Sequence, residues 1–528
     1  MKELRIGIDV GGTNTDVAVV DQDGDVLAWR KAPTSPDVFE GIRAALVGVL
    51  SEVDGTAVGQ VMLGTTHPVN AIIRRSGLGR VALLRIGAPA TLAVPPFAEW
   101  PEDLVDVVRG PVEIVRGGHD VDGRVFVPLD GEAVTKFAEL CRDVDGVAVV
   151  AMNSPINADH ELKAVAILRG VLGEDAMITA SHEVSGIGLL ERENSAILNS
   201  ALVDVARTVR DGLTGALADH GITAEMFFTQ NDGTLMTADE AVRRPVMTIG
   251  SGPTNSMRGA AYLSGVDNAI VMDVGGTSTD VGLFVDGFPR ESALAVEVGG
   301  VRTNYRMADL ISVGIGGGTI VGSTSPPQVG PDSVGYRITE DALVFGGNTL
   351  TLSDISVASR RAQFGDPSLV GLTDDSVEEV LAHVDEQFGI LADRIKTSRG
   401  ELPLIAVGGG AHLIPDAIPG VSKVIRHDLS PVANAVGAAI AEASGTVDRV
   451  YSYDEHGREK CLNEARKAAT AEAVRAGADP NQVRITRISE IPMTYVPGGS
   501  VRVAVKAVGQ VLRSAAVRRP HTESRRIC

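Results

Sequence analysis

Cysteine is scarce in this chain: Cys141, Cys461 and Cys528 are three among 528 residues. An odd, widely spaced set builds neither a disulfide framework nor a zinc knuckle. Basic charge is short as well, with 48 Lys and Arg against 68 Asp and Glu and a formal net charge of −20. A nucleic-acid partner needs a basic footprint, so nucleic acid is excluded as the main partner. A small triphosphate is not, because backbone N–H groups and a metal ion can hold one. No apolar run is long enough to span a bilayer, and Met1 to Val10 lacks the apolar region of a secretory signal. No membrane partner is expected, and the expected location is cytoplasmic. A P-loop motif is missing too. The cluster Gly314-Ile315-Gly316-Gly317-Gly318 runs into Thr319 where a dinucleotide fingerprint needs its last Gly.

What the chain has in quantity is glycine, 60 residues, much of it in short clusters after apolar runs. That placement reads as tight turns at strand ends. The length predicts two to four domains. Leu4–Val10, Val17–Val20 and Val26–Trp29 read as three successive strands, a β-β-β opening, and an amphipathic helix follows over Pro36–Val53. Strands and helices then alternate through Gly146–Met152 and Ala158–Leu172. A long helical pattern over Glu191–Leu217 is expected to join two lobes.

The opening recurs. Asp9-Val10-Gly11-Gly12-Thr13-Asn14-Thr15-Asp16-Val17 returns as Asp273-Val274-Gly275-Gly276-Thr277-Ser278-Thr279-Asp280-Val281, with eight of nine positions identical. The copies start half a chain apart, so each of two lobes is expected to open with the same hairpin. The expected boundaries are 1–195 for the first lobe, 196–446 for the second, 447–512 for a small α+β appendage and 513–528 for a disordered, Arg-rich tail.

A hairpin rich in Gly, Thr and Ser offers N–H groups and hydroxyls with no bulky Cβ in the way, which suits a phosphate. The candidate phosphate ligands are Gly11, Gly12, Thr13, Asn14 and Thr15 in one copy, and Gly275, Gly276, Thr277, Ser278 and Thr279 in the other. Asp9 and Asp273, each at the end of a strand, are the candidates to hold hydrated Mg²⁺ or to orient water, and so carry both the catalytic and the metal assignment. Gly316 and Gly317 are added to this set. Leu404–Val407 is an apolar strand leading into Gly408-Gly409-Gly410, small enough for a flat adenine to approach the backbone.

Two phosphate hairpins plus a late strand-GGG segment resemble the actin, sugar-kinase and heat-shock ATPase superfamily. Further segments narrow the resemblance: Gly64-Thr65-Thr66-His67-Pro68-Val69-Asn70-Ala71, Ser181-His182-Glu183-Val184, Glu191-Arg192-Glu193-Asn194 and Gln230-Asn231-Asp232-Gly233, with Ser251-Gly252-Pro253 after them. In this order they are similar to the hydantoinase A/5-oxoprolinase family. Arg74-Arg75, where many members carry Glu-Arg, and an abbreviated Gly330–Gly335 segment mark a short, divergent branch.

The resemblance implies an α/β, two-lobed actin-like ATPase fold of ribonuclease H type, with ATP and Mg²⁺ as cofactors. It also implies ATP-dependent hydrolysis of a cyclic amide through a phosphorylated carbonyl, an oligomer, and a possible second, hydantoinase B-like subunit. Thr66, His67, Asn70, His182 and Asn231 are the candidate substrate contacts. A hydrogen-bonded structural role is the alternative for the two histidines, whose spacing has no metal signature. Glu191 and Glu193 beside Arg192 read as a solvated or salt-bridged helix start rather than a general base. The rival functions are an ATP-using carboxylase subunit, a small-molecule kinase of the same fold, and a non-catalytic ATP-switched regulator.

Overall fold

The repeated segment closes the same hairpin twice. In the computed structural model, Leu4–Val10 pairs antiparallel with Asn14–Val20, setting Asp9 opposite Asp16. Ala269–Val274 pairs with Thr279–Val285, setting Asp273 opposite Asp280. Both turns close alike: Gly11 N–H donates to Asn14 O at 2.9 Å and Gly275 N–H to Ser278 O at 2.8 Å. The first strand of each hairpin takes a parallel partner on its other side, Val58–Thr65 in one lobe and Leu402–Val407 in the other. The structure describes residues 3–12, 14–33, 38–292, 295–322, 327–494, 496 and 499–512. Thr13 and the expected tail at 513–528 lie outside the described residues.

Each hairpin sits within a sheet. The first sheet has nine strands, in the order 484–492, 500–509, 443–452, 235–237, 225–229, 58–65, 4–10, 14–20, 26–33. Helices Val38–Leu50 and Ala433–Ile440 pack on its hairpin strands, which is why those strands are apolar almost throughout. The second sheet is built around 288–289, 279–285, 269–274, 402–407 and 421–425, with 310–313 added beside 279–285. A third sheet of four parallel strands, 109–116, 81–88, 146–151 and 178–180, enlarges the first lobe.

The sheets divide the chain differently from the boundaries expected above. The pattern over Glu191–Leu217 is two helices, Leu189–Ala201 and Val203–Asp219, meeting at Leu202. The first packs on the four-stranded sheet and the second on helix Val38–Leu50, so the pair bridges two sheets inside the first lobe. Glu225–Thr229 and Leu235–Thr237 then return to the nine-stranded sheet, and residue 195 falls within a helix. Ala443–Ser452, Arg484–Pro492 and Ser500–Gly509 form the far edge of that same sheet, with Ala443 opposite Leu235. Local pattern reveals a strand, but its neighbours hundreds of residues away decide its sheet.

Two helices join the lobes. Ser251–Ser264 packs on strands of the second sheet, and Ala433–Ile440 on the first hairpin. They cross at glycines: a Cβ on Gly259 would lie 1.8 Å from Ala433 O, and one on Gly437 1.9 Å from Asn255 O. Only residues without a Cβ allow backbones so close. A second link comes from the segment after the second hairpin. Its two short strands, Val296–Val298 and Val301–Thr303, bury Val298 and Val301 beside Ile72, Trp100 and Ile197 of the first lobe. Arg75 fixes this contact by donating to Gly299 O at 3.1 Å.

Candidate functional site

Between the two hairpins lies a cleft of about 850 Å³, lined by Asp9, Gly11, Gly12, Asn14 and Asp16 on one side and Asp273, Gly275, Gly276, Thr277, Ser278 and Asp280 on the other. Helix Ser251–Ser264 enters at its floor, and consecutive residues serve the two lobes. Asn255 Nδ2 donates to Asp9 Oδ1 at 3.0 Å, while the Ser256 hydroxyl bonds Asp273. Asn434, from the other crossing helix, donates to Asp9 Oδ2 at 3.0 Å and to Asp16 Oδ2 at 2.8 Å. The Lys31 ammonium lies 2.5 Å from Asp16. Asp280 accepts the Ser312 hydroxyl.

Burial dominates the electrostatics. Asp9 is pushed up to about 7, first by desolvation and then by the neighbouring Asp16 and Asp273, against the pull of Asn255 and Asn434. Asp273 is pushed up to about 6, again first by desolvation, with Asp280 adding to it and Ser256 opposing. Desolvation also raises Asp280. Asp9 and Asp273 are held by neutral amide and hydroxyl donors, and the nearby Lys31 ammonium is paired with Asp16, which suits a hard divalent cation with oxygen ligands. The donor set at Asp9 and Asp273 therefore fits Mg²⁺. The N–H groups of Gly276 and Thr277, just beyond the strand end, make no hydrogen bond to the described residues.

At one end the cleft meets a second cavity of about 710 Å³. The two share Gly408, Gly409, Ser430 and Pro431, and the second is further lined by Arg360, Arg361, Ala411, His412 and Arg426. Gly408, at φ +89°, has no room for a side chain: a Cβ there would lie 2.3 Å from Asp273 Oδ1.

Comparison with known proteins gives this geometry a context. The family model described as hydantoinase/oxoprolinase N-terminal region matches residues 5–172, and the one described as hydantoinase/oxoprolinase matches residues 192–365. The chain belongs to the hydantoinase/oxoprolinase family. It is 26% identical over 424 residues to the caprolactamase subunit alpha of Pseudomonas jessenii, covering 74% of this chain and 60% of that subunit. It is 29% identical over 388 residues to the acetophenone carboxylase gamma subunit of Aromatoleum aromaticum, covering 67% of this chain and 52% of that subunit. The chain thus spans between half and two thirds of the length of these relatives. The crystal structure of the ATP-dependent caprolactamase from Pseudomonas jessenii superposes with a TM-score of 0.76 at 20% identity, over 96% of this chain and 88% of that one. Fold and family thus agree with the expected α/β architecture and the expected family.

Within this frame several expected ligands stand elsewhere. Thr15 and Thr279 are fully buried behind their hairpins, Thr15 against the helix at Gly41 and Thr279 donating to Ile315 O at 2.5 Å. Strand alternation explains this: the cleft face takes Asp9, Asn14 and Asp16, and Thr15 between them must point away. Gly316 and Gly317 buttress the second hairpin. Gly316 N–H donates to Thr319 Oγ1 at 2.7 Å, and Gly317 N–H to Gly275 O at 2.9 Å, so neither N–H is free for a phosphate. Gly410 N–H is likewise committed to Val274 O, at 2.8 Å.

Of the expected substrate contacts only Thr66 lines the cleft. Asn70 Nδ2 donates to the Thr66 hydroxyl at 3.2 Å from behind. His67 Nδ1 is 2.6 Å from Thr65 Oγ1, and its ring stacks on Phe39. Asn231 is buried with both ends of its amide engaged, by Val246 O and by Gly250 N–H, so it shapes the loop carrying Gly250. His182 lies at the four-stranded sheet, 2.5 Å from Glu161. Glu193 forms a buried, two-pronged ion pair with Arg85, both bonds 2.6 Å, in keeping with a salt-bridged rather than catalytic role.

Sequence reasoning missed Asn255, Ser256, Asn434 and Lys31, and gave no role to Asp16 or Asp280, although both aspartates stand in the repeat. Among the described residues, His119, Asp159 and His160 form a cluster with ligand atoms close enough for a metal. His160 Nδ1 accepts the Gly118 N–H at 2.8 Å, which places its proton on Nε2, and Asp159 is taken by Lys163 at 2.6 Å. Both ring nitrogens of His119 are buried without a hydrogen-bond partner among the described residues, so one member of the set keeps a free lone pair. Cys141 and Cys461 are free and buried. No described helix is long and apolar enough to cross a membrane.

Proposed function

We propose that this chain couples ATP cleavage to the hydrolysis of a cyclic amide. The observation that carries the reading is the pair of facing hairpins, each presenting a buried Asp to one cleft, in a chain of this family. The triphosphate is assigned to the cleft between Gly11–Asn14 and Gly275–Ser278, and the nucleoside to the adjoining cavity at Gly408 and Gly409. A lactam carbonyl carbon is a poor electrophile. Transfer of the γ-phosphoryl group to the carbonyl oxygen makes that carbon open to water; the ring C–N bond of the adduct then breaks as the nitrogen takes a proton, and a second water splits the resulting acyl phosphate into acid and phosphate.

The chain's part is positioning and charge management. Asp9, gripped by the Asn255 and Asn434 amides, is placed to orient water in the cleft. Mg²⁺ held at Asp9 and Asp273 would offset the charge on the phosphates. Thr66, with Asn70 behind it, and the Gly250–Pro253 turn form the first-lobe side of the acceptor position.

The test is the chain with Mg²⁺, ATP and a panel of lactams and hydantoins, with ADP and ring-opened acid measured together. Matched formation of both is expected, and either Asp9→Ala or Asp273→Ala should lower it about 10³-fold. Full turnover in either variant, or ADP without ring-opened acid for every compound, overturns the reading. The similarity to a carboxylase subunit favours one alternative, phosphorylation of an enol or bicarbonate. ADP formation that depends on bicarbonate would decide for it. A second subunit and oligomeric assembly, as the subunit names of the relatives imply, belong to the same proposal.

A further inference from the structure

The four-stranded sheet carries polar side chains of its own at the carboxyl ends of its strands. The chain leaves strand 81–88 for the neighbour on one side, 109–116, and then returns to the neighbour on the other, 146–151. Where connections of a parallel sheet diverge in this way, the crevice above the strand ends is the usual ligand position. Gly117 and Gly118 let the chain cross that crevice closely. A Cβ on Gly117 would lie 2.4 Å from Ile86 Cγ2, and one on Gly118 2.9 Å from Met152 Cβ. The crossing delivers His119 to the residues that follow strand 146–151. Its N–H donates to Met152 O at 3.1 Å, and its carbonyl accepts Asn153 Nδ2 at 2.9 Å.

Asp159 and His160 begin the helix Asp159–Leu172 beside it. The two imidazole rings lie 4.3 Å apart, centre to centre, and one ligand atom from each of His119, Asp159 and His160 lies within 4.8 Å of the other two. His119 is fully buried, yet neither of its ring nitrogens has a partner among the described residues. An imidazole held this way gives up its hydrogen bonds to water, and a bound ion would supply the missing partner. Burial pushes both histidines down, and Lys163 holds Asp159 down, so the imidazoles are neutral and the carboxylate ionised, the forms that bind a metal. The competing contacts are weak. Asp159 and Lys163 form an exposed pair four residues apart. The Gly118 bond to His160 Nδ1 is a single neutral hydrogen bond. Ligation at Nδ1 takes the lone pair it uses, and ligation at Nε2 moves the ring proton to Nδ1, so in either case one hydrogen bond is exchanged for a metal bond.

We propose that His119, Asp159 and His160 form a Zn²⁺ site, separate from the nucleotide cleft and independent of the hydrolase reading. Two imidazoles and one carboxylate suit zinc, which three protein ligands hold with a fourth position open, rather than the hard Mg²⁺ assigned to Asp9 and Asp273. The three residues are not among those lining the cleft. His160 and Lys163 border a cavity of about 520 Å³, which gives the ion a way in.

The experiment strips the full chain with a chelator and titrates it with Zn²⁺ by calorimetry in saturating Mg²⁺, so that the cleft is already supplied with its own cation. Co²⁺ is titrated in parallel for its visible absorption. The expected result is one tightly bound Zn²⁺ per chain, and Co²⁺ bands of low coordination number that Zn²⁺ displaces. His119→Ala should weaken zinc at least about 100-fold and remove the Co²⁺ bands. Zinc should raise the melting temperature of the parent and leave that of His119→Ala unchanged. Two surface variants keep the test open if His119→Ala does not fold. Asp159→Asn should weaken zinc about tenfold, whereas Lys163→Met should tighten it, because it frees the carboxylate and removes a nearby positive charge. Failure of the parent to bind zinc, equal binding in a folded His119→Ala, or an affinity that neither surface variant moves would overturn the site. Each of these outcomes leaves the hydrolase reading as it stands.

Discussion

The two hairpins share eight of nine residues, yet their aspartates live in different surroundings. Asp9 is gripped by two amide side chains, Asn255 and Asn434, and Asn434 ties it to Asp16 and so to Lys31. Asp273 has the Ser256 hydroxyl and the nearby Asp280. The backing differs too. Behind the second hairpin, Gly317 and Gly318 donate to Gly275 O and Gly276 O at 2.9 and 2.7 Å. Behind the first, helix Ala433–Ile440 packs directly, with Gly7 open to it because a Cβ there would lie 2.0 Å from Ala435 O. A duplicated motif therefore supplies the same backbone twice, and the non-duplicated residues around it make one copy a wired carboxylate and the other a braced loop.

If that difference is functional, equivalent substitutions should act unequally. Asp9→Asn and Asp273→Asn are both expected to cut turnover about 10³-fold, the largest effect, as each removes a carboxylate from the same cleft. They should separate in nucleotide binding. Asp273→Asn leaves the wired side intact, whereas Asp9→Asn also disturbs the amides of both crossing helices. Equal affinities in calorimetry with Mg²⁺ and a non-hydrolysable ATP analogue would show that the wiring around Asp9 serves the chemistry alone.

The helix crossing on which both copies depend should come next. Gly259→Ala or Gly437→Ala places a methyl group within 2 Å of a backbone carbonyl that belongs to the other helix. A loss of about 3 kcal/mol or more is expected, since neither backbone can retreat without moving a lobe. Denaturant unfolding measures it, with Gly215→Ala as control, because nothing lies within 4 Å of a Cβ there. A small loss would mean that the helices can slide apart and that the lobes are held elsewhere, for example by Arg75 and Gly299.

A finer contrast lies in the glycines in and behind the hairpins. Gly316→Ala would drive a Cβ to 2.7 Å from Thr277 N and 2.8 Å from Gly276 C, whereas a Cβ on Gly12 meets nothing within 4 Å. Gly316→Ala is expected to cost about 1–3 kcal/mol and weaken nucleotide binding. Gly12→Ala should leave the fold within about 0.5 kcal/mol of the parent. Should Gly12→Ala still lose nucleotide affinity, the phosphate approaches the first hairpin closely.

These contrasts also show what was legible in the sequence. The hairpins, their aspartates and the strand before Gly408 were visible because the chain says them twice or says them locally. Thr15 and Thr279 were misplaced because a composition argument ignores strand alternation, and alternation alone would have turned both away from the cleft. Gly316 and Gly317 were misread because a glycine cluster looks the same whether its N–H groups face a ligand or a neighbouring loop. Asn255, Ser256 and Asn434 gave no signal. Their role exists only where two helices, more than 150 residues apart in the chain, cross beneath the hairpins. The sheet edge formed by residues 443–509 was hidden for the same reason.

The smallest effect is the one that tests the electrostatic difference most directly. Asp9 is held at about 7 against an ordinary value of 3.8, so between these limits the folded state keeps a proton that the unfolded chain has released. Stability from this group is fully present below pH 3.8 and is lost as pH rises through about 7. At pH 8 the folded, ligand-free protein carries an ionised, buried Asp9 at a cost that Asp9→Asn removes. The variant should melt about 2–5 °C above the parent at pH 8, with the gap closing toward pH 4. Asp273→Asn should show a smaller gap, its carboxyl being raised only to about 6. Saturating Mg²⁺ and ATP should erase or invert both gaps, because a cation at the site rewards the carboxylate that burial alone penalises. A parent that melts at the same temperature with and without these ligands at pH 8 would remove the electrostatic case for a cation at Asp9 and Asp273.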